Sequence, residues 1–166
     1  MTASITNPAW ATDPGRDTPP GFGARRAFVG REAGCRRLGA TLWELPAGQT
    51  AYPYHFHLVE EEMVVVLAGH GRLRTPAGWR DLTEGDLLAF PAGEEGGHQI
   101  VAGPDGPLRF LAVSTSGQPD VCVYPDSAKV AVTERRGGPP GGLRGVFRLD
   151  DAVDYWHGEG TPPSSR

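Results

Sequence analysis

Glycine and proline limit every element this chain can form: 24 Gly and 16 Pro interrupt 166 residues, so regular segments end soon after they begin. Between the breakers lie short apolar or alternating runs: Leu38–Leu45, Tyr54–His57, Met63–Leu67, Arg72–Thr75, Trp79–Leu82, Leu87–Phe90, His98–Val101, Leu108–Ser114, Val121–Tyr124 and Lys129–Val132. Each has the length of a strand, and none of these runs holds a helical period for three turns. Turn chemistry separates them, as in Pro46-Ala-Gly48, Gly69-His-Gly71, Pro76-Ala-Gly78, Glu84-Gly85-Asp86 and Pro104-Asp-Gly106. Many short strands with tight turns predict an all-β sandwich or barrel. With 39% apolar residues the chain can fill one core, and its length suits one domain rather than two.

The ends differ from the middle. Residues 1–35 mix Pro, Gly, Thr and Arg without a period and predict an irregular N-terminal arm, laid over the barrel or across a partner subunit. The barrel is expected over 36–132, and a Gly/Pro-rich linker and C-terminal tail over 133–166. Within that tail, Arg135 to Gly145 reads as linker, Arg148 to Trp156 as a short helix with Asp150, Asp151 and Asp154 on its wet side, and Gly158 to Arg166 as a frayed end.

A net charge of −4, mixed in sign along the chain, gives no electrostatic footprint for nucleic acid. The longest aliphatic run, Met63 to Ala68, is far too short for a membrane helix. No basic segment followed by an apolar run opens the sequence, so a cytoplasmic location is expected. Cys35 and Cys122 form neither a disulfide framework nor a Cys-x-x-Cys pair, and burial as small hydrophobes is the simplest reading.

Chemistry concentrates in one place. Two of five histidines are His55 and His57, and residues two apart on a strand share a face. Glu60, Glu61 and Glu62 follow, directly before an apolar strand, so a hairpin would bring one of these carboxylates beside the imidazoles. His98 opens a later strand past a turn-rich stretch. Three neutral imidazoles and one carboxylate suit one divalent Fe, Mn, Ni, Co or Zn ion. Taken alone, a His-x-His pair is as often a surface feature, and three glutamates in a row are usually a solvated loop.

The spacing resembles the cupin superfamily. Its first motif runs Gly, about five residues, His-x-His, three or four residues, Glu, six residues, Gly. Here it reads Gly48-QTAYPY-His55-Phe-His57-LVEE-Glu62-MVVVLA-Gly69. The intervals on both sides of Glu62 match, which makes Glu62 the ligand and leaves Glu60 and Glu61 to the loop or to the surroundings of the site. The second motif ends in Pro-x-Gly, two residues, His, three residues, Asn. Here it reads Gly85-DLLAF-Pro91-Ala-Gly93-EEGG-His98-QIV-Ala102. Two residues are inserted before His98, and Ala102 replaces the Asn, which is not a ligand; the inserted Gly96 and Gly97 allow the backbone to bend so that His98 points inward. Further likeness to single-domain bacterial cupins extends over most of 36–132 and reaches Asp154-Tyr-Trp156. The resemblance implies a double-stranded β-helix (jelly roll), a metal held by His55, His57, Glu62 and His98 at the barrel's interior mouth, and frequent homodimers.

Other polar residues have plainer readings. His70, between two glycines, and His157, in the tail, should be solvent-exposed. Arg72 and Arg74 share a face opposite Leu73 and should look outward. Tyr52, Tyr54, Trp43 and Phe56 should pack the barrel or an interface, with Tyr54 and Phe56 facing away from the histidines. Glu44 reads as a strand-end carboxylate and Asp86 as a turn residue. The sequence shows neither a phosphate-binding glycine loop nor a Gly-x-Ser-x-Gly elbow. Two functions compete: an enzyme acting on a small oxygen-bearing molecule (a carboxylate, enolate or catechol-like compound), and a non-catalytic module that binds a metal or metabolite. The intact ligand set leans toward the enzyme; the reaction, whether oxygenase, decarboxylase, isomerase or lyase, does not follow from the fold. No helix-turn-helix is visible in the arm, so a complete transcription factor is not expected.

Overall fold

A computed structural model describes residues 5, 7–12, 18–116, 119–134 and 144–161. Among these, the strands are β1 (Ala11–Thr12), β2 (Arg25–Ala27), β3 (Gly39–Leu45), β4 (Phe56–His57), β5 (Glu62–Ala68), β6 (His70–Thr75), β7 (Gly78–Thr83), β8 (Leu87–Phe90), β9 (Gln99–Ala102), β10 (Leu108–Ser114), β11 (Asp120–Tyr124), β12 (Lys129–Thr133) and β13 (Arg144–Arg148). All ten predicted runs contribute to strands. Three antiparallel sheets result, ordered β1-β2-β3-β10-β5-β8, β13-β12-β11-β4 and β7-β6-β9. This is the all-β barrel that the turn-punctuated sequence predicts, in the jelly-roll form that the cupin resemblance implies.

Alternation within strands decides what faces inward. In β5, Val64 and Val66 are buried while Met63 and Leu67 are exposed, so Glu62, two before Val64, shares the interior face. Leu73 of β6, Leu82 of β7, Leu88 and Phe90 of β8, Ile100 of β9, and Leu108 and Phe110 of β10 close the core with Leu45. Phe110 stacks on Trp43 at 5.8 Å between ring centroids. Gly69 joins β5 to β6 at φ 84°, and a side chain there would collide with the Pro107 carbonyl. A residue free of Cβ is therefore required for both reasons.

Three expectations fail. The first half of the arm is partly outside the described residues, but its second half is regular: β2 pairs with β3 (Arg26 opposite Trp43), and Val29–Glu32 form one helical turn, α1, against β3. Aperiodic sequence still pairs because an edge strand supplies unpaired backbone groups. No helix spans Arg148 to Trp156. Arg148 instead ends β13, which pairs with β12, and Leu149–Asp151 make a single 3-10 turn. Val153, Tyr155 and Trp156 are exposed, so a helix there would have no apolar face to bury. The linker reading ends early as well, since Arg144 and Gly145 belong to β13; residues 135–143 and 162–166 lie outside the described residues. Among those described, no helix is long and apolar enough to cross a membrane.

Candidate metal centre

The structure brings His55, His57, Glu62 and His98 together inside the barrel. His57 lies on β4. His55, just before it, forms a reciprocal backbone pair with His98: His55 N–H donates to the His98 carbonyl at 3.2 Å and His98 N–H to the His55 carbonyl at 2.9 Å. The stretch that carries the insertion before His98 forms a 3-10 turn, Glu94–Gly96, capped by Gly97. That turn absorbs the extra length and leaves His98 in phase with Ile100 and Ala102, facing inward. Oε2 of Glu62 lies 3.4 Å from Nε2 of His98 and 3.6 Å from Nε2 of His57. The His55 ring is 4.6 Å from that of His98 and 5.1 Å from that of His57. Donor atoms of His55, Glu62 and His98 all lie within 4.8 Å of one another.

Hydrogen bonds at the far ring nitrogens set the tautomers. Nδ1 of His55 donates to the Pro53 carbonyl at 3.1 Å, and Nδ1 of His98 to the Gly96 carbonyl at 2.9 Å. A carbonyl only accepts, so each proton sits on Nδ1 and each Nε2 keeps its lone pair. Nδ1 of His57 meets Oδ2 of Asp120 at 2.6 Å. The Nε2 atom of His98 is buried with no hydrogen-bond partner among the described residues. An orphaned buried lone pair facing a carboxylate fits a bound cation.

Electrostatics separate the histidines. Burial, reinforced by its imidazole neighbours, pushes His55 well below the usual histidine range. Burial likewise lowers His98 to about 4. His57 is half-buried, and the hydrogen bond to Asp120 and the charges of Glu62, Asp120 and Glu60 outweigh that burial and raise it. Burial raises the Glu62 carboxyl. Burial alone would also raise Asp120, yet the His57 hydrogen bond and the N–H groups of Glu60 and Val59 hold it low. Two neutral imidazoles, an Asp-supported third and one carboxylate form a coherent donor set.

Several residues around this cluster escaped the sequence reading. Asp120 carries no local signal; only the pairing of Cys122 with His57 brings β11 beside β4. Asp120, Cys122 and Tyr124 then alternate onto the histidine side of the sheet. Of the two cysteines expected to be buried as small hydrophobes, Cys35 is exposed on the surface and only Cys122 is buried; its sulfur lies within 4.8 Å of donor atoms of His55 and His57. Tyr52 stands edge-on to His55 at 4.6 Å and to His98 at 5.7 Å. Phe90 stacks on His98 at 3.8 Å and Tyr124 on His55 at 5.9 Å. Glu60 is buried near His57 and Asp120, whereas Glu61 is exposed with its N–H on Thr115.

The plainer readings fit their positions. His70 and His157 are exposed. Arg72 is exposed beside Asp81, and Arg74 covers Tyr54 while paired with Asp126. Glu44 is held by Arg25 and Arg109, and Asp86 accepts the Thr83 N–H in its turn.

A family model described as "Cupin domain" matches residues 41–114, from β3 through β10. Similar solved structures include a sugar phosphate isomerase of a cupin superfamily from Silicibacter pomeroyi, 28% identical over 78% of both chains with a TM-score of 0.70. A protein from Acidithiobacillus ferrooxidans provisionally assigned as a sugar phosphate isomerase is 26% identical over 81% of this chain and 82% of its own, with a TM-score of 0.70. The polyketide cyclase RemF of Streptomyces resistomycificus is 26% identical over 72% of this chain and 84% of its own, with a TM-score of 0.58. Among curated proteins no significant sequence match is found. The strand order, the motif-bearing segment and these neighbours agree: residues 41–114 match the cupin domain, and the chain shares the fold of cupin proteins.

Proposed function

We propose that the protein holds one divalent transition metal ion on His55, His57, Glu62 and His98 and acts there on a small oxygen-bearing molecule. The observation that carries this reading is the convergence of the imidazole Nε2 atoms of His57 and His98 on one Glu62 oxygen, with Nδ1 of all three histidines already engaged. When bound, such an ion supplies Lewis acidity toward a carbonyl, carboxylate or hydroxyl oxygen. The chain's own residues prepare that surface. Asp120 orients His57 and stabilises its Nδ1–H form. Tyr52, Phe90 and Tyr124 wall the cluster with rings and keep the donors from bulk water. Burial, with the nearby Glu62 charge, raises the Tyr52 phenol well above its usual range, so it stays protonated and can donate to a bound oxygen.

Likeness to proteins named as sugar phosphate isomerases supports an isomerase acting on a polyhydroxy carbonyl compound. A second reading, non-catalytic binding, draws on the aromatic lining, which adds few groups able to move protons. Metal analysis of untagged protein tests the site: about one transition metal per chain is expected, and it should be lost in His55→Ala/His98→Ala. Full stoichiometry in the double variant would show the assignment to be wrong. Metal-loaded protein that binds aldose and ketose phosphates without interconverting them would favour the second reading.

A further inference from the structure

The sheet β13-β12-β11-β4 carries charge as well as metal donors on its inner face. Directly opposed residues of antiparallel strands point to the same side. Cys122 opposes His57, so Asp120, Cys122 and Tyr124 mark the histidine side. Lys129 opposes Tyr124, and Arg144 opposes Thr133, which itself opposes Asp120. Lys129, the only lysine in the chain, and Arg144 therefore stand on the face that holds the histidine cluster.

Their surroundings leave them available. Nζ of Lys129 lies 5.6 Å from the centroid of the Tyr124 ring, and that same ring stacks on His55 at 5.9 Å. Arg144 is close enough to Tyr124 for its charge to oppose the rise that burial causes in the phenol's pKa. Among the described residues neither cation has a carboxylate partner. By contrast, Arg148, on the same face opposite Lys129, is taken by Asp150 at 3.0 Å. Arg74 and Arg109 are likewise paired. Asp120, the acidic group on this face, is committed to His57.

We propose that Lys129 and Arg144 form an anion-recognising subsite that takes the phosphate or carboxylate end of a ligand whose oxygen-bearing other end sits at the histidine cluster. This rests on the metal-centre reading above. A flexible ammonium and a planar guanidinium on paired strands, four residues apart in register and both directed to the Tyr124 ring that borders the cluster, suit a terminal anion several atoms away from the metal-bound oxygens.

Three six-carbon acids of similar length separate the possibilities: gluconate, glucarate and 6-phosphogluconate, which differ at the end remote from the carboxylate and its 2-hydroxyl. Calorimetric titration of protein loaded with one equivalent of Mn²⁺ should show 6-phosphogluconate or glucarate binding at least about tenfold tighter than gluconate. The stronger of the two identifies the anion. In K129Q/R144Q that preference should fall to about one while Mn²⁺ stoichiometry stays unchanged, and K129R should retain it. The exposed R144Q alone should lose a several-fold share, which keeps the test decisive if the double variant folds poorly. Unchanged Mn²⁺ binding with no wild-type preference, or with a preference that survives both substitutions, overturns the subsite and leaves the metal centre standing. Failure of the wild type to take up Mn²⁺ at the histidines, with H55A/H98A binding equally, overturns both.

Discussion

Oδ2 of Asp120 lies 2.6 Å from Nδ1 of His57, across 63 residues of sequence and two paired strands. The contact holds the imidazole so that its Nε2 faces Glu62 rather than the sheet. Asp120→Ala should therefore weaken metal binding by about 10–100-fold. Asp120→Asn keeps a carbonyl acceptor for the same Nδ1–H and should cost less. Competition titration against a chelator measures both; two variants within twofold of wild type would mean that Asp120 does not support the site.

The buried His98 makes the metal-free protein acid-sensitive. Its folded pKa is lowered from 6.5 to about 4, so between these values the unfolded chain binds more protons and stability falls as pH falls. At ~1.36 kcal/mol per unit, the full contribution is about 3 kcal/mol. His55 acts in the same direction, whereas His57 and Glu62, both raised, oppose it. Comparison with His98→Gln isolates the share due to this imidazole. The destabilisation caused by H98Q should shrink by about 3 kcal/mol from roughly pH 7.5 to roughly pH 4 in urea unfolding of metal-free protein. A difference that does not change with pH would contradict a neutral, buried His98.

Gly96 is the narrow point of the turn that seats His98. A Cβ there would run into the Pro91 carbonyl oxygen, and the Gly96 carbonyl is the acceptor for His98 Nδ1. Gly96→Ala should cost more than about 1 kcal/mol and reduce metal affinity, while Gly106→Ala, which opens into free space, should stay within about 0.5 kcal/mol. Denaturant midpoints and metal titrations of the two variants check this; equal behaviour would remove the special role of the turn.

The two cysteines should differ in reactivity. Cys35 is exposed, whereas burial pushes the Cys122 thiol up to about 12, and the thiolate is the reactive form. Iodoacetamide should label one cysteine in the native protein near neutral pH and both after unfolding. Native labelling of Cys122 as fast as Cys35 would show that the space beside His57 is open to reagent.

Which residues become strands is a local matter, and the sequence carried it. Period-two alternation and turn residues marked the ten strand-forming runs, put His55 and His57 on one side, and together with motif spacing singled out Glu62 from three glutamates. The same logic failed where local signals were weak. The arm contains no period, yet β2 finds an edge to pair with, and the charged 148–156 stretch resembles a helix only until it has no face to bury.

Other features depend on chain segments meeting from afar, and tertiary structure alone decided them. Asp120 is an ordinary strand-start carboxylate until the register of β11 against β4 sets it beside His57. Lys129 and Arg144 look like scattered surface charges until two further pairings place them on the histidine side. Even the seating of His98, two residues late in its motif, depended on a 3-10 turn closing under the Pro91 carbonyl. Short-range sterics and alternation can be read along a chain; a partner across a sheet is fixed only when burial of the whole core selects one register.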